Sequence, residues 1–295
     1  MNTLTIENLS KTYPNGVKAL NGINLIITNG MFGLLGSNGA GKSTLMRTIA
    51  SLQEPSSGSI QFNDIDVVIE PQEVRKVLGY LPQEFGVYPK ISAEKLLNHM
   101  AILKGIINKK ERKEQVTALL HQVNLFQHRK KAVYTFSGGM RQRFGIAQAL
   151  LASPQLIIVD EPTAGLDPEE SNRFLNLLSE IGENVIVILS THIVEDVRNL
   201  CPKMAILANG EIISEGNPKE LVASIEGKIW TKIIPKSDIE IYKKAFDVIS
   251  TKLVSGETQI RVLSKNKPEA GFEMITPNLE DFYFATLFNQ AVKAA

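Results

Sequence analysis

The sequence has 295 residues, 43% of them hydrophobic, which is enough for one large or two modest domains with a buried core. A formal net charge of +1 gives no indication of a nucleic acid partner, no apolar run is long enough to span a membrane, and the first residues lack the pattern of a secretory signal. We therefore expect a cytoplasmic protein, whose single cysteine, Cys201, cannot form an internal disulfide and is predicted to be an inert core residue.

The first segments predict β-structure. Residues 4–9 alternate between apolar and polar side chains, as in a half-buried strand, and residues 17–20 and 23–27 predict two more strands. Between them, residues 11–16 form a turn cluster that carries an exposed aromatic side chain, Tyr13.

A glycine-rich segment follows, between a predicted strand at residues 31–35 and a predicted helix at residues 45–52. The segment consists of Gly36, Ser37, Asn38, Gly39, Ala40, Gly41, Lys42, Ser43 and Thr44. Strand, glycine-rich loop and helix are the context that a phosphate-binding P-loop requires, because the glycines let backbone N–H groups point inward and the helix start adds free donors. Lys42 is expected to contact the β- and γ-phosphates of a nucleotide, and the Ser43 hydroxyl a Mg²⁺ ion.

The middle of the chain changes from mixed α/β character to helical character. Residues 59–62 and 77–81 predict strands, with a short helix at 71–76 between them, and Gln83 follows the second strand. Residues 85–153 then show helical spacing of their apolar side chains. At this junction the neutral amide of Gln83 is placed to reach Mg²⁺ or an attacking water.

Two acidic residues end the next predicted strand. Residues 156–159 form a continuous apolar run, which indicates a strand covered on both faces, as in a parallel sheet. We expect this strand beside the P-loop strand, where it delivers Asp160 and Glu161 to the phosphates. Asp160 is suited to hold Mg²⁺, directly or through a water, and Glu161 to polarise a water for in-line attack on the γ-phosphorus.

His192 follows another apolar strand, predicted at residues 184–189, and so belongs to the same carboxyl edge, where ligands of open α/β sheets bind. Its position favours a hydrogen bond to the γ-phosphate. Pro168 begins a predicted helix that reaches residue 181, and Asn209-Gly210 predicts a hairpin turn.

The last part of the chain, residues 226–295, predicts a small α+β appendage. Its predicted strands are 229–234, 248–253 and 259–263, and its predicted helices are 239–246 and 278–288.

Taken together, these residues resemble the nucleotide-binding subunits of ABC transporters over residues 1–225. In chain order, the matching motifs are the adenine-stacking Tyr13, the Walker A loop at 36–44, the Q-loop Gln83, the signature Ser137-Gly138-Gly139, Walker B at 156–161 with Glu161 as the expected catalytic base, the D-loop Gly165-Leu166-Asp167 and the switch His192. The resemblance implies an α/β P-loop NTPase fold. In that fold a RecA-like core carries an antiparallel β subdomain and a helical subdomain, here at about 85–153, before the appendage at 226–295.

The resemblance also implies an ATPase that uses ATP and Mg²⁺. Two copies face each other head to tail, as a homodimer or as a heterodimer with a related subunit. Each ATP lies between the Walker residues of one copy and Ser137, Gly138 and Gly139 of the other, while Asp167 couples the two sites across the interface. Ser137, which we also predict to cap the helix that follows, makes the signature a second anion site at a helix start. Phe136 and Met140 depart from the usual Leu and Gln of the signature, but its Ser-Gly-Gly centre is intact, so phosphate contact is expected to survive.

Membrane partners are implied in the same way. No span is encoded, so a separate integral-membrane permease is expected, with this subunit on the inner face of the cell membrane. A short coupling helix of the permease is expected near residues 85–90, where Phe85, Val87 and Tyr88 suit a socket. Residues 277–284 look like the Leu-Glu-Asp-aromatic ending of exporter subunits, which indicates export.

Two other functions stay open at this point. One is an ABC-type ATP switch that acts on ribosomes or DNA without transport, although such proteins usually carry two cassettes or long coiled coils. The other is a regulatory sensor that binds nucleotide without hydrolysis, against which Glu161 and His192 both argue.

Overall fold

The computed structural model describes residues 1–83, 85–86, 89–163 and 166–294. Its first sheet is antiparallel, in the order β2-β1-β4-β5. The strands of this sheet are β1 (Thr3–Thr12), β2 (Lys18–Thr28), β4 (Ser57–Phe62) and β5 (Ile65–Asp66). The two strands predicted at 17–20 and 23–27 are thus one continuous strand. Gly22, with φ 62°, forms a β-bulge in this strand and not a turn. The register of the pairing with β1 shifts between Leu9 and Lys11.

The second sheet has six strands in the order β10-β9-β3-β8-β7-β6. These strands are β3 (Gly30–Leu35), β6 (Leu78–Leu81), β7 (Leu156–Asp160), β8 (Ile186–Thr191), β9 (Lys203–Ala208) and β10 (Glu211–Gly216). All neighbours from β6 to β9 pair in parallel, and β10 pairs antiparallel to β9 through the predicted hairpin. The sequence prediction was wrong in one respect: β7 does not lie beside the P-loop strand β3, because β8 lies between them.

The helices surround this sheet and continue into the C-terminal part. They are α1 (Lys42–Ile49), α2 (Pro71–Val77), α3 (Ala93–Leu103), α4 (Lys109–Gln122), α5 (Gly138–Ala149), α6 (Pro168–Ile181), α7 (Val194–Leu200), α8 (Pro218–Ala223), α9 (Ile239–Ala245) and α10 (Leu279–Ala294). None of the helices in the described part of the chain could serve as a membrane span.

Two apolar clusters cover the two faces of the six-stranded sheet. In β7, Leu156 and Ile158 belong to the cluster shared with α1 and the antiparallel sheet, whereas Ile157 and Val159 belong to the cluster shared with α3 to α7. Every residue of β7 is buried. The uninterrupted apolar run therefore reflects burial on both faces, as predicted.

The C-terminal part contains a third sheet, in the order β12-β13-β11-β14. Its strands are β11 (Ile229–Ile234), β12 (Val248–Val254), β13 (Glu257–Leu263) and β14 (Glu273–Met274). Helix α10 packs against α7, α8 and β12. Its start is fixed by reciprocal hydrogen bonds between Asn278 and Asp281, each 3.0 Å, and by an ion pair between Asp281 and Arg261. The Leu-Glu-Asp tail thus has a structural use within its own chain.

Candidate nucleotide-binding site

The glycine-rich loop leads from β3 into α1 at the carboxyl edge of the parallel strands. A Cβ atom on Gly36 would lie 2.5 Å from the carbonyl oxygen of Leu207, and one on Gly41 would lie 2.5 Å from that of Ala19. Gly41 also has φ 110°, a left-handed conformation that other residues rarely adopt. Glycine is therefore required at both positions by backbone that passes close to the loop.

Lys42 lies inside this loop. Its Nζ donates hydrogen bonds to the carbonyl oxygens of Gly36, at 2.8 Å, and Ser37, at 3.3 Å. The same atom is 3.2 Å from Oε1 of Glu161, and both side chains are only 6% exposed. A buried ammonium and a buried carboxylate thus balance each other at the position where a nucleotide phosphate would meet the loop.

Glu161 directly follows β7 and has φ 49°. Its backbone N–H donates to the carbonyl oxygen of Ser190, at 2.8 Å, which joins the ends of β7 and β8. Its Oε2 is 2.6 Å from Nδ1 of His192, and the His192 side chain is 49% exposed. The carboxylate therefore lies between the buried Lys42 ammonium and a half-exposed imidazole, a position in which it can accept a proton from a water in the site.

Asp160 offers oxygen atoms suited to Mg²⁺. The residue is 3% exposed, and among the described residues its Oδ1 has no hydrogen-bond partner. The buried Oγ of Ser190, which pairs with Asp160 across the sheet, also has none among the described residues. Burial, and next the charge of Asp160, raise the pKa of Tyr80. An uncompensated carboxylate oxygen and a hydroxyl are hard donors that fit a hydrated Mg²⁺.

Lys42, Glu161 and His192 line a cavity of about 720 Å³. It is lined by Tyr13, Val17, Lys18, Ala19, Ser37, Asn38, Gly39, Gly41, Lys42, Ser43, Thr44, Gln83, Glu161, His192, Asn209 and Gly210. Tyr13 is held at the rim, with its hydroxyl 3.2 Å from Oγ1 of Thr44 and donating to Oε1 of Gln53 at 3.2 Å. A cavity with an aromatic rim, an N–H-rich loop and a buried carboxylate is suited to a nucleoside triphosphate.

Comparisons with known proteins agree with this geometry. The family model described as ABC transporter matches residues 20–164. An uncharacterized ABC transporter ATP-binding protein, YxlF of Bacillus subtilis (strain 168), is 31% identical over 95% of this chain and 98% of its own length. The chain belongs to the ABC transporter ATP-binding family.

Other relatives of this ABC ATPase differ in their named roles. The linearmycin resistance ATP-binding protein LnrL of Bacillus subtilis (strain 168) is 35% identical over 76% of this chain and 72% of its own length. Further relatives carry the names of phosphonate and methionine import ATP-binding proteins. The solved dimeric post-hydrolysis structure of the ATP-binding cassette MJ0796 with ADP and Pi has a TM-score of 0.67 at 27% identity, over 72% of this chain and 98% of that one. The chain is thus an ATP-binding ATPase with the α/β fold of an ABC cassette.

Several predicted site residues of the ABC ATPase do not line the cavity. Gly36 and Ala40 belong to the loop but do not line the cavity, and the buried Asp160 does not line it either. The signature and the D-loop lie elsewhere, at the starts of α5 and α6. Ser137 caps α5, accepting a hydrogen bond from the Met140 N–H at 3.3 Å, and Asp167 caps α6, accepting one from the Glu170 N–H at 2.8 Å. Gly138 and Gly139 form the first turn of α5. Gly165 of the predicted D-loop lies outside the described residues.

The cavity of the ABC ATPase also contains residues that the sequence analysis missed. They are Val17, Lys18, Ala19, Asn209 and Gly210. Asn209-Gly210 was predicted only as a hairpin turn, and that turn reaches the cavity because the Gly210 N–H donates to the carbonyl oxygen of Ala40, at 3.0 Å. Lys18 carries no local pattern that would have singled it out.

Proposed function

We propose that this ABC ATPase binds and cleaves Mg²⁺-ATP between two facing copies and thereby drives a separate membrane permease, in the direction of export. The observation that carries the proposal is that the predicted site residues lie in separate places on the chain. The Walker loop, Glu161 and His192 converge on one cavity, whereas Ser137 and Asp167 lie at two other helix starts that this cavity does not use.

Within the cavity, each side chain has a chemical role that follows from its contacts. Lys42 exchanges its contact with Glu161 for the β- and γ-phosphates, and the Glu161 carboxylate thus released accepts a proton from the attacking water. His192 holds the other carboxylate oxygen and is exposed enough to contact the γ-phosphate. Loop residues 36–44 donate backbone N–H groups, and Tyr13 stacks on the adenine.

A magnesium site would use oxygen donors around Asp160. Ser43, Gln83 and Asp160 would hold the ion, which when bound neutralises charge that develops on the phosphates. Asp160 supplies the buried carboxylate oxygen that has no other partner among the described residues. Ser43 and Gln83 both line the cavity.

The dimer supplies the second half of each site. Ser137, Gly138 and Gly139 begin a 12-residue helix, whose free N–H groups and positive end suit a phosphate. Asp167 stands at the start of another helix and would face the partner copy. The dimeric MJ0796 cassette supports this arrangement, since that protein is a relative in fold and sequence.

A surface groove suits the permease. It has a volume of about 460 Å³ and lies between β6 and the helices α2, α3 and α5. Leu52, 58% exposed, and Leu103, 74% exposed, present apolar surface there. Of the socket residues predicted from the sequence, Phe85 packs instead against Gly145 of α5, and Val87 and Tyr88 lie outside the described residues. We propose that a short amphipathic helix of the permease occupies this groove, which places the subunit on the inner face of the cell membrane.

Export and the domain division are supported by observations outside the site. Residues 277–284 resemble exporter endings, LnrL is named for resistance, and other relatives are named for import. We propose an ATPase domain at 1–225, with a helical subdomain at about 85–153, and an accessory domain at 226–295 that has its own sheet. Transport by this subunit reconstituted with its permease in inverted vesicles would measure the direction.

The shared site is tested by mixing two inactive variants, Lys42→Met and Ser137→Arg. If each site takes one half from each copy, the mixed dimer contains one intact site, so a 1:1 mixture should recover about a quarter of wild-type ATPase activity. If all residues act within one copy, the mixture stays as inactive as its components. Phosphate release by each variant alone and by the mixture distinguishes the two cases.

A further inference from the structure

One ion pair joins the two helices whose starts carry the signature and the D-loop. Nη1 of Arg143, on α5, is 2.7 Å from Oε2 of Glu170, on α6. The two side chains are 13% and 23% exposed, so the pair is mostly shielded from water. It connects the helical part of the chain to a helix that packs on the six-stranded sheet.

The pair lies directly beside the groups proposed to meet the partner copy. A Cβ atom on Gly139 would be 2.6 Å from Oε2 of Glu170, so the carboxylate rests on the first turn of α5. On its own helix, the Glu170 N–H donates to Oδ1 of Asp167, at 2.8 Å. A shift of Glu170 would therefore move Asp167 and the signature helix relative to each other.

A second contact lies before Asp167 in the chain. Oγ1 of Thr163 donates a hydrogen bond to Oδ2 of Asp196, at 2.7 Å, and both residues are buried. Thr163 comes two residues after Glu161, and Asp196 belongs to α7, the helix that follows His192. Burial raises the pKa of Asp196, which shows that its carboxyl group is poorly solvated. The Thr163 hydroxyl therefore supplies a hydrogen bond that water does not.

We propose that Arg143–Glu170 and Thr163–Asp196 are positioning anchors on the two sides of Asp167, which set Asp167 against both the signature helix and the hydrolytic residues. The proposal rests on the proposed function, in which Asp167 and Ser137 face a second copy. Stability alone does not explain the ion pair, because α6 is already held by Phe174, Leu175 and Leu178, which are buried in the core.

The test compares Glu170→Gln with a matched control, Glu169→Gln. Glu169 is the preceding residue on the same helix, and its ion pair with Arg173 is exposed, at 76% and 56%. We expect Glu170→Gln to lower the kcat of ATP hydrolysis about tenfold, because catalytic geometry is sensitive to shifts of about 1 Å. The melting temperature should fall by about 5 °C, because Arg143 loses a mostly shielded partner, whereas the affinity of the separate subunit for a fluorescent ATP analogue should stay near wild type. The control should match wild type in all three measurements.

A compensating double variant distinguishes a positioning role of the ion pair from a general loss of structure. The charge-reversed double variant Arg143→Glu with Glu170→Arg should recover part of the lost kcat. At the other anchor, Thr163→Ser keeps the hydroxyl and should stay active, whereas Thr163→Val should lose kcat without losing ATP affinity. An unchanged kcat in Glu170→Gln, or a parallel fall of kcat, ATP affinity and melting temperature, would overturn the proposal. Failure of the shared-site proposal would show separately, as no recovery in the mixture of Lys42→Met and Ser137→Arg.

Discussion

Replacing Glu161 by glutamine removes one buried charge from the centre of the site and keeps the shape of the side chain. In the structure this carboxylate lies 3.2 Å from Nζ of Lys42 and 2.6 Å from Nδ1 of His192. The change therefore acts on two properties at once. It removes the proposed proton acceptor, and it frees Lys42 from its carboxylate partner before any nucleotide arrives.

The substitution should lower the turnover number and raise the affinity for ATP. Loss of a general base lowers kcat by about 10²–10⁴. The contact between Lys42 and Glu161 is an ion pair and not a hydrogen bond, because Oε1 of Glu161 has no hydrogen-bond partner among the described residues, and it contributes about 1 kcal/mol. ATP has to break this contact in the wild type and not in the variant. ATP affinity should therefore rise about fivefold, since each 1.4 kcal/mol is a factor of about ten.

Three measurements on purified protein check this prediction. Phosphate release gives kcat, fluorescence titration with an ATP analogue gives the affinity, and light scattering after gel filtration detects an ATP-dependent dimer. The variant should elute as a dimer with ATP and Mg²⁺ and as a smaller species without nucleotide. Glu73→Gln is the control, because it makes the same chemical change in an exposed ion pair with Lys76.

Two results would refute the reasoning. If Glu161→Gln keeps wild-type turnover, this carboxylate is not the base. If turnover falls but ATP affinity is unchanged or weaker, the contact with Lys42 does not compete with the phosphates. The role of the ion pair would then be structural, and its loss should appear as a lower melting temperature in the absence of ATP.

Three further predictions follow from single contacts. Gly41→Ala should abolish binding of a fluorescent ATP analogue while the circular dichroism spectrum stays native, because its Cβ would lie 2.5 Å from the carbonyl oxygen of Ala19 and its φ is 110°. Burial raises the pKa of Cys201 from 9.0 to about 12, so at pH 8 the folded thiol should react with iodoacetamide roughly 1000-fold more slowly than in urea, as mass spectrometry would show. Asp281→Asn should lower the free energy of unfolding by about 2–3 kcal/mol in urea titrations, because it leaves Arg261 without its buried partner; an unchanged midpoint would contradict that role.

The sequence predicted the parts of the site that local patterns determine. The loop from Gly36 to Thr44 needs its glycines because of the backbone it forms, and the buried strands before Asp160 and His192 place both residues at one edge. These predictions depend on a few neighbouring residues and on the rule that parallel strands end together. The hairpin at Asn209-Gly210 was predicted for the same reason.

The sequence did not predict which distant strands and side chains pair with each other. The order of β3, β8 and β7 depends on which strands meet across more than a hundred residues, and nothing in the apolar run before Asp160 distinguishes a direct neighbour of β3 from the next strand. The ion pair between Arg143 and Glu170 is similar, because each residue alone fits a solvated helix face. Only the packing of α5 against α6 brings the two together.

The conformation of Glu161 explains how two consecutive carboxylates can serve one site. Successive side chains of a strand point to opposite faces, so a simple extension of β7 would send Asp160 toward the Lys42 helix and Glu161 away from it. Glu161 instead has φ 49°, and its N–H remains bonded to Ser190 of the neighbouring strand. This left-handed residue breaks the alternation, and its carboxylate comes within 3.2 Å of Lys42. A non-glycine residue in this region costs on the order of 1 kcal/mol, and glycine would remove that cost together with the carboxylate. The strain is therefore retained at the residue whose carboxylate we propose as the proton acceptor.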